Sequence, residues 1–308
     1  KMKVEQLYTG CLSEAAYFIE SEGEIAIIDP LRETEPYMEL AEKNNAKIKY
    51  IFETHFHADF VSGHVDLAKK TGATIVYGPT AETGYDSHIA SDGEIFEIGK
   101  VKIKVLHTPG HTPESSTYLL YDEDGKEYAI FSGDTVFIGD VGRPDLAISS
   151  DLTEMDLAGM LYDSIWNKIM PLPDHVLVYP AHGAGSLCGK NMSSDTYSTL
   201  GEQRRTNYAL QEMSKEDFVK EVTTGIPAAP QYFPKNAAIN KGGYSDIDEV
   251  MAKGSVALNA EKFDELRSEG ILVLDGRDRN EFAKDHVPGS MNISLDGSFA
   301  VWVGTLIE

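Results

Sequence analysis

Six side chains in this 308-residue chain have the types and spacings that hold a metal ion: His55, His57, Asp59, His111, Asp134 and His182. In Thr54-His55-Phe56-His57-Ala58-Asp59 two imidazoles stand two residues apart with a carboxylate two further on, so one tight loop can aim all three the same way. Imidazole suits zinc and iron, and a carboxylate compensates the charge of the cation. Thr108-Pro109-Gly110-His111-Thr112, Phe131-Ser132-Gly133-Asp134-Thr135 and Ala181-His182-Gly183 each add one ligand on a turn that contains glycine, the residue that bends the backbone sharply at least steric cost. His57 also admits the plainer reading of a buried histidine satisfied by the backbone. His88, His107, His175 and His286 fall outside these patterns and read as ordinary histidines.

The elements that must position these residues alternate between short β-branched runs and helical spacing as far as about residue 180. A strand pair is predicted at 15–20 and 24–29, turning at Ser21-Glu22-Gly23 and ending in Asp29-Pro30. A helix over 33–44 with Met38, Leu40 and Ala41 inward precedes a buried strand at 48–53, which delivers His55. Helical spacing returns over 63–71, and strands are predicted at 74–77, 94–98, 101–107, 116–121 and 127–131. Helices at 153–168 and 196–211 flank a strand at 176–179. Every acid or histidine of interest thus follows a strand. In mixed α/β sheets the carboxyl ends of strands share one edge, where distant loops meet in one site.

Lys and Arg number 27 against 50 Asp and Glu, a formal net charge of −23 at pH 7. Such a field repels polyanions and anionic membranes, so nucleic acid and membrane are excluded as expected partners. No apolar run reaches the roughly 18 residues that a membrane span requires. With 42% hydrophobic and 25% charged residues the composition is that of a globular chain with a sizeable core, long enough for two domains. The cysteines are Cys11 and Cys188, and KMKVEQLYTG at the start lacks a secretory apolar stretch, so a reducing cytoplasm is the expected location. Pro227, Pro230, Pro234, Gly242 and Gly243 mark a shift to low periodicity that reads as a linker. The expected division is 1–225, a linker at 226–244, and a second unit at 245–308 that is short for an independent domain.

The metal motifs, in this order and separation, resemble the metallo-β-lactamase superfamily over roughly residues 3–225. That resemblance implies an α/β fold, an αββα sandwich with the metal site at one edge of its two sheets. The superfamily pattern reads His-x-His-x-Asp-His, and here its last position is Phe60. In the hydrolases that histidine helps bind a second metal, and paired metals generate the attacking hydroxide. Phenylalanine binds none, so a single metal is expected.

Two histidines and one carboxylate with open positions are the arrangement of ferrous iron oxygenases. His55, His111 and Asp134 would form it, and the set is similar to that of the persulfide dioxygenases, which share the glyoxalase II fold but oxidise a thiol persulfide to sulfite. Val141-Gly142-Arg143-Pro144-Asp145 and His182-Gly183-Ala184-Gly185-Ser186-Leu187-Cys188-Gly189 add to this resemblance. It implies one Fe(II) per chain, O2 and a low-molecular-weight thiol persulfide of glutathione or coenzyme A type as reactants, and a place in sulfide detoxification. His57, Asp59 and His182 then become groups that orient the ligands, or remnants of a second metal site. Arg143 either holds a substrate carboxylate or fixes its own loop. Cys188 is either a small buried thiol or the lining of a persulfide channel. Cys11 at the entry to a strand needs no chemistry.

In the second unit Leu274-Asp275-Gly276-Arg277-Asp278-Arg279-Asn280-Glu281-Phe282 and Asp285-His286-Val287-Pro288-Gly289-Ser290-Met291-Asn292-Ile293 resemble the early part of a rhodanese domain, with a helix predicted at 260–269 and a buried strand at 271–275. Sulfur transfer in that family needs a cysteine on a later loop, and none is present here, so no catalytic rhodanese cysteine is assigned. The unit reads as a partial rhodanese-like domain or docking scaffold, and the natural polypeptide is expected to continue further. The rival readings for the whole chain are a binuclear glyoxalase II-like thioester hydrolase and a catalytically silent sulfur-carrier or docking protein. A homo-oligomer, dimer or tetramer, is expected from the base rate.

Overall fold

The computed structural model describes residues 1–307. One six-stranded sheet runs in chain order through β1 (Lys3–Thr9), β2 (Glu14–Ser21), β3 (Glu24–Ile28), β4 (Lys47–Phe52), β5 (Thr74–Tyr77) and β6 (His88–Ile89). It is antiparallel as far as β3 and parallel beyond. The β2–β3 turn uses Glu22 at φ 51° and Gly23 at φ 82°, the double positive φ that matches the twist of a two-residue hairpin. The second sheet contains β7 (Ile95–Ile98), β8 (Val101–His107), β9 (Ser116–Tyr121), β10 (Glu127–Gly133), β11 (Leu177–Pro180) and β12 (Ser198–Thr199). Its first four strands form an antiparallel meander, and β11 joins β10 in parallel.

Alternation along the strands sorts the core into layers. Ala15, Tyr17 and Ile19 of β2 pack with Val101, Ile103, Val105, Tyr118, Leu120 and Phe131 between the sheets. Their neighbours Ala16 and Phe18, with Ile25, Ile27, Ile48 and Ile51, face Tyr37 of α1 (Glu35–Lys43) and Leu67 of α2 (His64–Thr71). On the far face of the second sheet Leu119, Ile130, Val176 and Val178 cluster with Leu161 of α3 (Glu154–Ser164), Leu200 of α4 (Leu200–Thr206) and Phe218 of α5 (Lys215–Thr223). The result is helices, sheet, sheet, helices: an αββα sandwich, as the sequence leads one to expect.

Several local expectations change. In α1 Leu40 and Ala41 pack inward as expected, but the fully buried residue is Tyr37 and Met38 is 38% exposed, because the buried face runs through Tyr37, Leu40 and Ala41. The helix expected at 153–168 starts on a capping box between Thr153 and Asp156, then widens into a π turn at Ile165–Ile169 that keeps both isoleucines buried. The helix expected at 196–211 divides into β12, α4 and a 3₁₀ turn at Tyr208–Leu210.

The low-periodicity stretch 226–244 contains α6 (Phe233–Gly242). Pro234 lies in the first turn of this helix, where a missing N–H costs nothing, so it does not act as a breaker. Residues Phe233–Tyr244 cluster with the sandwich in one compact unit, and Pro230–Tyr232 group with the chain from Ser245 onward in a second. That second unit contains α7 (Ile247–Gly254), α8 (Ala260–Ser268), β13 (Leu274–Asp275), α9 (Arg279–Lys284), β14 (Met291–Asn292) and α10 (Phe299–Leu306). The strand expected at 271–275 shrinks to β13, paired in parallel with β14, and Ile271 is 57% exposed. Arg277 clasps Asp275 through Nε and Nη2. No helix among the described residues is long and apolar enough to cross a membrane.

Candidate metal centre

The carboxyl ends of β4, β8, β10 and β11 carry His55, His111, Asp134 and His182 to one place. Backbone bonds across strand ends lock the loops together: Ser116 N–H donates to Thr54 O at 2.9 Å, Ala181 N–H to Gly133 O at 3.0 Å, and Ala15 N–H to Ala181 O at 2.8 Å. Gly133 is required where β10 meets the loop after β4. Its φ is 53°, and a Cβ would stand 2.6 Å from Thr54 Cβ.

His55, His111 and Asp134 are buried, and their ligand atoms converge. Asp134 Oδ2 lies 3.1 Å from His111 Nε2 and 3.6 Å from His55 Nε2. A metal about 2.1 Å from each of three ligands at right angles holds them ~3 Å apart, so the trio fits a bound ion. The ring tautomers agree. Thr54 Oγ1 donates to Asp29 Oδ2 at 2.8 Å and so accepts from His55 Nδ1 at 2.9 Å. His111 Nδ1 donates to Arg143 O at 2.8 Å. Both rings therefore turn Nε2 inward, the atom that would ligate a metal; for His111 burial disfavours the charged ring, but Asp134 outweighs it and raises the pKa. Neither oxygen of Asp134 has a hydrogen-bond partner, and His182 Nε2 and Asp59 Oδ1 also lack one. Orphaned buried acceptors of this kind call for a cation. Burial opposes ionisation of Asp134, yet His182, His55 and His111 hold it well below the usual carboxylate range. Burial, reinforced by the neighbouring His57 charge, pushes His55 well below its ordinary value.

His57 is turned to a different task. Its Nε2 stands 3.0 Å from Asp29 Oδ1 and 3.6 Å from Glu53 Oε2. Burial favours the neutral ring, but Asp29, with Glu53 and Asp59 adding to it, overrides burial and raises the pKa to about 10. The ring thus braces Asp29, while its ligand atoms also lie within ligand distance of Asp59 and His182. Phe60 is buried and packs its ring on His57 at 4.6 Å between centroids. Asp29 is the hub of this corner, since it also accepts from Thr54 N–H at 2.8 Å. The sequence signal for it was only the Asp-Pro step that ends an apolar strand.

On the opposite side of Asp134, His182 Nε2 lies 3.5 Å from Oδ1 and 3.5 Å from Asp59 Oδ2, and His182 Nδ1 donates to Ser13 O at 3.3 Å. Cys188 is fully buried and close enough to join Asp134 and His182 in a ligand-sized cluster. Burial, then Asp59 and Asp134, raise its thiol well above the ordinary value, so it is protonated at neutral pH. Cys11 is exposed and outside this cluster. Glu14, bridged to His182 through the backbone, is buried with neither oxygen hydrogen-bonded, and burial pushes its carboxyl well above the usual range.

Of the two roles open to Arg143, the loop role is the one the geometry fills. The guanidinium clasps Asp145 through two bonds of 2.7 Å and donates to Leu187 O and Pro227 O, which leaves it no face for substrate. Gly142 lets this loop touch the centre, because a Cβ there would sit 1.9 Å from Asp134 O. Gly142→Ala is expected to cost about 1–3 kcal/mol of stability through overpacking, and to lower metal content. Denaturant unfolding with metal analysis checks this, and an unaffected variant would contradict the close approach.

Asn240 and His64 were missed by sequence reasoning. Asn240 on α6 is 1% exposed and holds the metal loop at three points: Nδ2 donates to His57 O at 2.8 Å and Phe60 O at 2.9 Å, and Oδ1 accepts from Ser62 N–H at 2.8 Å. Tyr244 adds a bond from its hydroxyl to Ser62 O. His64 Nε2 meets Tyr85 Oη at 2.7 Å, and burial lowers its pKa to about 3. In the unfolded chain that ring takes up a proton near pH 6.5, whereas the folded ring stays neutral down to about pH 3. Stability is therefore expected to fall with pH below about 6.5, by roughly 2 kcal/mol at pH 5. His64→Gln should lose that slope in unfolding of the metal-free protein, and identical slopes would refute it. The remaining histidines have local partners: His88 with Glu94, His107 with Pro113 O, His175 with Glu127 O and His286 with Phe282 O.

The model of the metallo-beta-lactamase superfamily matches residues 9–182, and the chain belongs to that superfamily. Human persulfide dioxygenase ETHE1, a mitochondrial protein, is 32% identical over 199 residues, 64% of this chain and 70% of its own length. A probable hydroxyacylglutathione hydrolase of Schizosaccharomyces pombe is 31% identical over 182 residues, 57% of this chain and 66% of its own. Among solved structures, a metallo-beta-lactamase of Staphylococcus aureus superposes with a TM-score of 0.84 at 32% identity, covering 100% of this chain and 88% of that one. Relatives named for an oxygenase and for a hydrolase thus stand at equal distance, and the choice between them falls to the site itself.

Proposed function

We propose that this chain is a mononuclear non-heme iron persulfide dioxygenase, which converts a thiol persulfide, O2 and water into the free thiol and sulfite with release of two protons. The observation that carries the reading is the division of the two histidines in the metal loop: His55 turns Nε2 to Asp134, while His57 turns Nε2 to Asp29 and packs against Phe60. With phenylalanine at the next expected ligand position the neighbouring cluster is short of a ligand, and the trio His55, His111 and Asp134 supplies a facial set with open positions. Iron bound there would supply the redox chemistry and bring both reactants together. The protein's own part is to fix both imidazole tautomers through Thr54 and Arg143 O, to keep Asp134 ionised, and to exclude bulk water by burial.

A second reading is a binuclear thioester hydrolase, favoured by the unpartnered Asp59 Oδ1 and His182 Nε2 around Asp134 Oδ1. Substrate assays separate the two. Oxygen uptake with persulfides and no cleavage of thioesters supports the oxygenase, and the reverse overturns it. The second unit is read as rhodanese-like on its Asp275–Arg277 scaffold, without a cysteine for sulfur transfer among residues 245–308.

A further inference from the structure

Cys188 has no part in the trio His55, His111 and Asp134, yet the fold delivers it to the same centre and fixes it from both sides. Its carbonyl accepts from Arg143 N–H at 2.9 Å, and its own N–H donates to Ser186 Oγ at 3.1 Å. Just beyond it the buried Asp140 carboxylate accepts from Lys190 N–H at 2.7 Å and Asn191 N–H at 2.6 Å on Oδ2, and from Val141 N–H at 2.8 Å on Oδ1. Gly189 admits no side chain, since a Cβ would stand 2.9 Å from Asp140 Oδ2 and 3.1 Å from the Phe137 ring. The thiol is thereby held in place and fully buried. Ligand atoms of Asp134, His182 and Cys188 all lie within 4.8 Å of one another.

Two of the three donors are also orphans. His182 Nε2 and Asp134 Oδ1 are buried, stand 3.5 Å apart and have no hydrogen-bond partner. A tetrahedral ion about 2.0–2.3 Å from each donor spaces its donors roughly 3.3–3.8 Å apart, so this pair is set for one. His182 Nδ1 faces Ser13 O, which leaves Nε2 as the inward atom. Asp134 offers Oδ1 here and Oδ2 to His55 and His111, so one carboxylate can serve both positions. We propose that Asp134 Oδ1, His182 Nε2 and Cys188 Sγ form a second metal site, distinguished by its sulfur donor, which takes a thiophilic divalent cation such as zinc beside the iron trio. Cys188 supplies there the ligand that Phe60 withholds. As the sulfur–metal bond forms, the thiol proton passes to solvent, so each ion bound releases one proton. A thiolate among the donors selects zinc over magnesium or manganese. The site goes beyond the oxygenase reading and does not depend on it.

Cobalt(II) reports the sulfur directly, because thiolate-to-cobalt charge transfer gives a near-ultraviolet band that the sulfur-free trio cannot produce. Anaerobic titration of the iron-loaded protein with cobalt(II) is expected to develop this band to one thiolate per chain, zinc to bleach it, and excess magnesium to leave it unchanged. The band should vanish in Cys188→Ser and Cys188→Ala and persist in Cys11→Ser. Calorimetry of zinc binding to the iron-loaded protein should find the site weakened roughly tenfold or more in Cys188→Ser. Absence of the band in the wild type, a band lost with Cys11 instead of Cys188, or zinc binding untouched by Cys188→Ser would overturn the proposal. The last result would place the second ion on Asp59 and His182 without sulfur. Oxygen uptake is no part of the readout, so failure of the oxygenase reading leaves this test intact.

Discussion

Replacing His111 by alanine is expected to remove bound iron and to abolish persulfide-dependent oxygen consumption, a loss well beyond the ~10–100-fold typical of groups that only orient a ligand. Its Nε2 is one of the two imidazole nitrogens facing Asp134 Oδ2, and its tautomer is set by Arg143 O. Without it Asp134 and His55 cannot hold a facial site, and Arg143 O loses its donor. Far-UV circular dichroism separates this loss from unfolding. A folded His111→Ala protein that keeps both iron and turnover would refute the ligand assignment. The corresponding change at His57 is expected to act differently, by leaving Asp29 buried without its ion-pair partner, so stability falls along with metal affinity.

Asn240→Ala should be the most damaging change outside the ligand set. It leaves His57 O, Phe60 O and Ser62 N–H without their buried partner at once, which at about 1–3 kcal/mol for each unsatisfied group is a large share of a domain's stability. The loop that carries His55, His57 and Asp59 would also loosen, so iron should dissociate faster than from the wild type. Asn240→Asp keeps an acceptor for Ser62 but turns a carboxylate toward two carbonyls, and no rescue is expected. Thermal unfolding together with iron release to a chelator checks both statements. A variant with wild-type stability and iron retention would show that α6 does not brace the loop.

These two residues mark how far the sequence could be read. His111 was legible because its chemistry depends on residue type, a glycine-bearing turn and the end of a patterned strand, all of which are local. The layers of the sandwich were legible for the same reason, since β2, β4 and β8 alternate or bury whole runs. Asn240 was not, because its value comes entirely from meeting residues about 180 positions earlier in the chain, and prolines around it suggested a linker. His57 was legible as a member of the cluster but not in its role, which is set by Asp29 and Glu53 through space. Arg143 left two roles open until Asp145, Leu187 and Pro227 were seen to occupy its guanidinium. The buried strand expected at 271–275 failed for a tertiary reason: among the described residues it meets a single partner strand, and Ile271 and Leu272 stay exposed.

The most direct test of the central claim is metal quantification and oxygen-electrode turnover on one and the same preparation. The geometry of His55, His111 and Asp134 predicts about one iron per chain and oxygen uptake that depends on a thiol persulfide. About two zinc ions per chain, with thioester cleavage and no oxygen consumption, would contradict it.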